Sequence, residues 1–489
     1  MPRLIIFIIF LSIGTAQFLF AQNQETLILS LEECIEMAKV QSPYSAMAKY
    51  RQQASSFDYQ TFRSSLKPQI NFSSDFPGLR RSFANVQQDD GSPKFIYQSQ
   101  TYSDVSLDLR QNIPLTGGNI SVFSSLSNFA ILDTNNFTNW RSSPMAIRIS
   151  QPLFQFNFLK WNKMEAEINY DLSKLEMVQE LETVAANTTR MYFELLTAQQ
   201  SLKRAQINVV NNDTIFQLSE GRFSVGKIAE NELLQSQLNQ MNARTSLNQA
   251  ELAHKRAIEA LKIQLGLEEH ITVEAFIPDN PANLEIDPEY AVEEARKHSL
   301  TLRQNQLSQL QAERNVKVAK SNNRFTADIN ASFGLNQTGA TLEEAIQNPI
   351  DQEFFSVGIN VPIIQWGGGK AEVGAALTRQ KETQARIAQS EKEFDNDIYF
   401  QVMNIKQLYM QLALSGKADT VASRRYEITK NRYLIGKISI QDLFIAQSEK
   451  DRAQVEYINN LSAFWLALAN LRASTLFDFV RMQPIGGDY

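Results

Sequence analysis

Few side chains in this sequence are suited to catalysis or to metal binding. The 489 residues include one cysteine, Cys34, and three histidines, His254, His270 and His298, which are not at metal-ligand spacing. A single cysteine excludes both a disulfide within the chain and a thiolate metal cage. No nucleophile elbow or paired-cysteine motif is present either. We therefore expect no catalytic residues, no bound metal and no cofactor, and an enzyme is the less favoured class.

One segment, Gly221 to Ile228, is close to a phosphate-binding loop. An apolar residue, Ile228, stands where such a loop needs a hydroxyl group for magnesium. A chain reversal at Gly226, after a long helix, is the better interpretation. The glycines at 367–369 follow a strand-like segment without a dinucleotide fingerprint, and we expect a flexible joint there. The 47 Lys and Arg against 53 Asp and Glu give a net charge of -6, which argues against nucleic acid as a partner.

The amino terminus has the pattern of a secretory signal peptide. Arg3 precedes a short apolar run over 4–13, and Ala21 lies at a plausible cleavage site. The sequence therefore predicts a signal peptide over residues 1–21. The alternative is an uncleaved anchor, although the apolar run is shorter than the ~20 residues that a membrane span needs.

Long stretches of the chain contain neither glycine nor proline. They are rich in Ala, Leu, Glu, Gln, Lys and Arg, which favour helix. These stretches are 153–220, 227–265, 289–333, 375–415 and 437–483. A helix from Lys160 to Glu220 would be roughly 90 Å long, which predicts long coiled-coil packing.

Other segments alternate apolar and polar residues, as strands with one apolar face do. The candidate strands are 68–76, 103–113, 118–130, 145–153, 325–335 and 354–363. Such strands fit a soluble sandwich or an outer-membrane barrel. The predicted export and four potential membrane-interface anchors favour the barrel. These anchors are Lys160, Trp161, Trp366 and Lys370.

The sequence repeats itself. Arg222-Phe223-Ser224-Val225-Gly226-Lys227-Ile228 recurs 210 residues later as Arg432-Tyr433-Leu434-Ile435-Gly436-Lys437-Ile438. Because two strand exits, at Pro152 and Pro362, keep the same offset, the long helices of the two copies have equal lengths. We predict a first structural repeat over 22–285, with its tip near 221–228. The second repeat is predicted over 286–489, with its tip near 431–438.

The duplicated Arg-aromatic-x-x-Gly-Lys turn, the Pro-Leu-Phe and Pro-Ile-Ile strand exits and the strand-to-long-helix order resemble the TolC-like outer-membrane efflux channels. The resemblance covers essentially the whole mature chain. It implies a mixed α and β fold, in which a homotrimeric β-barrel in outer-membrane lipid continues as a long periplasmic α-helical coiled-coil barrel. It further implies docking to a periplasmic adaptor (membrane fusion protein) and an inner-membrane RND or ABC pump, for drug efflux or type I secretion. The alternative function is a periplasmic coiled-coil adaptor or a structural protein of an envelope-spanning complex.

The number of strands departs from this family. Four to six strands cannot close around water, so several chains must pool their strands. The first repeat has four candidate strands where the family has two. Either a hairpin around 114–118 lies outside the barrel, or the trimer has more strands than usual. The sequence leaves both alternatives open.

The resemblance also implies functional residues at the two helix–turn–helix tips. Tyr433 matches an aromatic gate position, Asp442 an acidic entrance position, and Glu232 the equivalent position of the first tip. The family's second acidic position is Ile445 here and its latch arginine is Ile438, which puts that latch in doubt. An acidic residue near the start of a helix can instead stabilise the helix N-terminus. The residues implied in adaptor docking are Arg222, Phe223, Gly226, Lys227, Arg432, Gly436 and Lys437.

Overall fold

The structure is a computed structural model that describes residues 25–132, 137–279 and 285–486. The predicted signal peptide, residues 1–21, lies outside the described residues. Within those ranges, no helix is both long enough and apolar enough to cross a membrane.

Helices make up most of the described chain. In chain order they are α1 Leu31–Gln41, α2 Pro43–Ser65, α3 Phe158–Ser224, α4 Glu230–Leu265, α5 Pro288–His298, α6 Leu300–Asn322, α7 Leu342–Ile346, α8 Gly368–Leu434 and α9 Ile440–Thr475. The strands are β1 Glu25–Leu29, β2 Gln69–Gln87, β3 Pro93–Ile113, β4 Gly118–Ile131, β5 Phe137–Leu153, β6 Ile271–Ala275, β7 Thr326–Gly339, β8 Ile350–Asn360, β9 Phe477–Asp478 and β10 Gln483–Pro484.

The helix lengths confirm the internal duplication. Helices α3 and α8 have 67 residues each, and α4 and α9 have 36 each. The short helices also match, with 11 residues in α1 and α5 and 23 in α2 and α6. A helix of 67 residues is about 100 Å long.

Six strands form one antiparallel sheet in the order β2-β3-β4-β5-β7-β8. All six candidate strands lie in it, but β2 and β3 extend to 19 and 21 residues, well beyond the predicted lengths. The register between β2 and β3 shifts between Asp75 and Gly78. This irregularity interrupts the sequence alternation, so the distal part of the hairpin could not be predicted from the pattern.

The chain divides into two compact units. The first contains the described residues of 1–46, 183–284 and 405–469, and the second those of 47–182, 285–404 and 470–489. In the first unit, the Tyr192 hydroxyl donates hydrogen bonds to Phe276 O at 2.7 Å and Leu29 O at 3.2 Å. It thereby ties α3 to the ends of β1 and β6, which pair in parallel.

Cys34 belongs to the apolar core of this first unit. It is fully buried on α1 with Ala38, and Ile35 packs against the same core. Burial raises the pKa of the Cys34 thiol from 9.0 to about 12. The residue therefore acts as a small apolar side chain rather than as a nucleophile.

The second unit holds the six-stranded sheet and a buried ionic cluster. Arg472 on α9 lies 3.3 Å from Glu182 on α3 and 3.1 Å from Asp478 in β9. Both carboxylate side chains are almost completely buried. The cluster attaches the carboxyl-terminal strands to the long helices, since both acids share one guanidinium.

Candidate functional site

The two hairpin tips reverse the chain with the same backbone geometry. Gly226 and Gly436 adopt φ of +72° and +76°, the left-handed region that favours glycine. The Gly226 N–H donates to Phe223 O at 2.8 Å, and the Lys227 N–H donates to Arg222 O at 2.8 Å. The second tip repeats this pair of bonds at 2.9 Å each. Both tips are Schellman motifs, which end α3 and α8 by satisfying carbonyls of the last turn.

A small apolar core, here called the tip cluster, lies just behind these turns. Its buried members come from α3, α8 and α9, and they are Ile215, Tyr426, Tyr433, Ile440, Leu443 and Ala446. Tyr433 is thus packed inside the single chain and does not project into solvent. Ile438, at the family's latch position, packs against the same cluster.

Arg222 joins the two tips to each other. Its Nη2 donates to Tyr433 O at 3.2 Å and Leu434 O at 3.3 Å, and its guanidinium lies 5.0 Å from the Tyr433 ring centroid. The last carbonyls of a helix lack partners within that helix and carry partial negative charge, so a cation there is stabilising. Its repeat equivalent, Arg432, is exposed. Because the motif is the same in both copies, the sequence could not show that Arg222, and not Arg432, contacts the other tip.

Asp442 takes part in the helix cap of α9. The Ser439 hydroxyl accepts from the Asp442 N–H at 3.2 Å, while Asp442 Oδ2 accepts from the Ser439 hydroxyl at 2.7 Å and its N–H at 3.3 Å. This reciprocal arrangement is a capping box with aspartate as the acid. The side chain is exposed as well, so capping the helix does not remove its charge from the tip.

The first tip lacks this cap. Ala229 occupies the N-cap position of α4 and makes no side-chain hydrogen bond to the helix. Glu232 is partly exposed in the first turn, where its charge favours the helix N-terminus. Ile445, the family's second acidic position, is an exposed aliphatic residue on α9.

A polar cavity of about 570 Å³ lies between α3, α4 and α9 in the same unit. Within the described residues, four of its lining atoms are buried without a hydrogen-bond partner: Arg204 Nη1, Asn212 Oδ1, Asn239 Nδ2 and Gln447 Oε1. Two donors and two acceptors around such a volume make the cavity polar enough and large enough for water. The helices are nevertheless joined directly beside this cavity, where Asn208 Nδ2 on α3 donates to Asp451 Oδ2 on α9 at 3.0 Å.

The four predicted interface anchors differ in exposure. Lys160 and Lys370 are exposed. Trp366 is 95% exposed, whereas Trp161 is only 8% exposed and lies under the Lys317 ammonium, 4.6 Å from its ring. Little of the Trp161 ring can face lipid, while nearly all of the Trp366 ring can.

Across the part of the chain that the structure describes, no group of three or more His, Cys, Asp or Glu side chains could hold a metal ion.

The sequence is similar to outer-membrane proteins, both by family and by individual relative. Residues 34–267 and 291–475 match the model of a family described as outer membrane efflux protein. Outer membrane protein TolC of Escherichia coli (strain K12) is 23% identical over 368 residues, which cover 70% of this chain and 72% of that protein.

Solved structures show the same fold. The CmeC outer membrane channel of Campylobacter jejuni superposes with a TM-score of 0.66 at 15% identity, covering 91% of this chain and 85% of that one. The outer membrane protein VceC of Vibrio cholerae gives a TM-score of 0.62 at 15% identity, covering 91% and 96%.

Proposed function

This chain belongs to the outer membrane efflux protein family, and we propose that its two hairpin tips form the periplasmic entrance at which an adaptor docks. The chain is the outer-membrane channel component of an efflux system, located in the outer membrane with a periplasmic extension. The family is a channel component and not an enzyme family. The mixed α and β fold with an internal duplication is confirmed. The alternative of a periplasmic adaptor or a structural protein is not supported, since the family matched over both repeats is described as outer membrane efflux protein.

The docking proposal also covers the oligomeric state and the partner proteins. We infer a homotrimer that receives substrates from an RND or ABC pump through a membrane fusion protein. Channels of this family work with pumps and adaptors, and trimers are typical of the structural neighbours. The entrance would be lined by Asp442 and Glu232, whereas the burial of Tyr433 favours a packing role just behind it.

The observation that carries the docking proposal is an exposed aliphatic residue at the same position of each turn. Val225 and Ile435 are both 66% exposed, immediately before Gly226 and Gly436. Each sits on a turn whose backbone is fixed by the Schellman bonds, so it is presented in a defined position. Phe223 and Leu434, at the ends of the helices that precede these turns, are exposed as well. Contiguous exposed apolar patches are typical of interaction sites.

The test is to place a charge at both positions together, with Val225→Asp and Ile435→Asp in one chain. We expect the trimer to form normally, while cross-linking to the adaptor and efflux in cells are lost. The matched control exchanges the two side chains, Val225→Ile with Ile435→Val, and should retain both activities. Normal adaptor cross-linking by the Asp variant would show that the turns are not the docking site.

A further inference from the structure

We propose that all six strands of each copy form the wall of a single 18-stranded barrel, in which β8 of one copy pairs with β2 of the next. This inference rests on the homotrimer proposed above and decides between the two alternatives that the sequence left open. The hairpin around 114–118, formed by β3 and β4, is then part of the membrane wall rather than an appendage, and so is the hairpin β2–β3 beside it.

The strongest support is an apolar row that crosses five strands without a break. Ile70, Leu109, Val122, Ile147 and Phe333 are consecutive ladder partners on β2, β3, β4, β5 and β7, and therefore lie on one face of the sheet.

The neighbouring row projects to the opposite face and is polar on the same five strands; on β8 the apolar row ends at Glu353 and the polar row at Phe354. Its ladder partners, each adjacent in sequence to one residue of the apolar row, are Gln69, Arg110, Ser121, Arg148 and Ser332. One face suits lipid and the other suits water, as in outer-membrane strands. The strands β2 and β3 obey the same rule as the strands beside them, so they experience the same two environments.

The pairing of β3 with β4 shows that the hairpin is integral to the sheet. All 14 residues of β4 are paired with β3, from Ile131 opposite Gln100 to Gly118 opposite Ile113, without a register shift. By contrast, the ladder between β4 and β5 is interrupted once, between Phe123 and Ser125. The β3–β4 junction is thus the more regular of the two.

The base of the hairpin is also fastened to the helices that adjoin the sheet. Gln111 Nε2 donates to Leu66 O at 2.8 Å, just after α2, and Asn157 Nδ2 donates to Pro114 O at 2.8 Å, just before α3. The turn between β3 and β4 therefore lies at the same end of the sheet as the helix junctions. A hairpin folded away from the sheet would break both contacts.

The two edges of the sheet identify the second copy as their partner. Because six strands alternate in direction, β2 and β8 run in opposite directions. The edge β8 can therefore continue the antiparallel order against β2 of another copy. An open edge in lipid would leave backbone N–H and C=O groups without partners, each at a cost of several kcal/mol. A head-to-tail contact of this kind repeats until the ring closes.

The strand number sets the width of the barrel. At a strand spacing of about 4.8 Å and a tilt of about 40°, 18 strands give a backbone diameter of ~36 Å, and 12 strands would give ~24 Å. The wider barrel leaves an aqueous channel of porin size, because barrels of 16–18 strands are not filled by their own side chains.

The first test is disulfide trapping between neighbouring copies, using positions on the polar face. Ser73→Cys on β2 is combined with Ser356→Cys or with Asn360→Cys on β8. Cys34 is fully buried, so the natural chain can serve as background. We expect covalent dimers and trimers under oxidising conditions.

The matched control replaces the β2 position with Ser125→Cys on β4, combined with the same β8 positions. In an 18-stranded ring, β4 lies three strands from the neighbouring β8, roughly 14 Å away, whereas a disulfide needs Cα atoms within about 7 Å. Cross-linking from β4 and none from β2 would overturn the proposal, because it would mean a barrel that leaves out the hairpin β2–β3.

The second test is the outline of the natural trimer in electron-microscopy projections along the barrel axis. A backbone diameter near ~36 Å supports six strands from each copy, and one near ~24 Å overturns it. These results are separate from the proposed function, since a narrow trimer that still docks its adaptor leaves that function intact. A natural chain that forms no trimer would instead contradict the homotrimer on which this inference rests.

Discussion

Replacing Gly226 with alanine tests whether the tip depends on its left-handed residue. The position has φ of +72°, and a Cβ built there meets no other atom within 4 Å, so the cost is purely conformational. An L-residue in the left-handed region costs about 1–2 kcal/mol. Local opening of the turn should therefore increase roughly 5- to 30-fold, since about 1.4 kcal/mol corresponds to tenfold. Hydrogen exchange of the Lys227 amide, which donates to Arg222 O, reports this opening directly.

The control lies five residues upstream. Gly221 is inside α3, has no positive φ and also has open space around its Cβ position. Alanine there should stabilise the helix by up to about 1 kcal/mol and slow exchange at the tip. If Gly221→Ala and Gly226→Ala changed the exchange rate in the same direction, the explanation by backbone conformation would be refuted.

Three further predictions concern charge and burial. Asp442→Asn should lower the cation selectivity, measured as a reversal potential in a KCl gradient. Trimer stability should change little, since the amide oxygen can still accept the capping bond, and an unchanged potential would mean that Asp442 does not line the limiting aperture. Arg472→Leu should lower the free energy of unfolding by about 3 kcal/mol, because it leaves the carboxylates of Glu182 and Asp478 buried beside an apolar group. A loss of less than about 1 kcal/mol in a urea titration would contradict this prediction. Because the pKa of Cys34 rises from 9.0 to about 12 on folding, the unfolded thiol ionises first, and the free energy of unfolding should fall as pH increases above about 9. Cys34→Ala should reduce that decline, and equal slopes of unfolding free energy against pH in both proteins would argue against this explanation.

The sequence was sufficient for the parts of the fold that depend on local pattern and on the repeat. The absence of glycine and proline predicted most of α3 and the part of α8 over 375–415, and the matched offsets predicted the equal lengths of the two helices. The distal parts of β2 and β3, beyond the register shift near Gly78, were missed because the side chains there do not reveal a strand by alternation. These parts are strands because they pair with each other.

The functional region was only partly predictable. Both glycine reversals follow from the conformational freedom of glycine after a helix, and they were found. The packing of Tyr433 and the contact made by Arg222 depend on which helix lies beside which, and a duplicated motif gives both copies the same local sequence. The burial of Trp161 and the exposure of Trp366 also depend on tertiary neighbours, such as Lys317 over the Trp161 ring, and could not be separated in advance.

The matched lengths of the two hairpins restrict how the protein can acquire insertions or deletions. Inserting two helical turns into α3 and α4 alone would shift Arg222 away from the carbonyls of α8 and move Ile215 out of the tip cluster. The same insertion made in all four long helices would keep every one of these contacts in register. Longer or shorter homologues should therefore differ by paired changes of similar size in both repeats, and engineered chimeras should exchange hairpins only in equal-length sets.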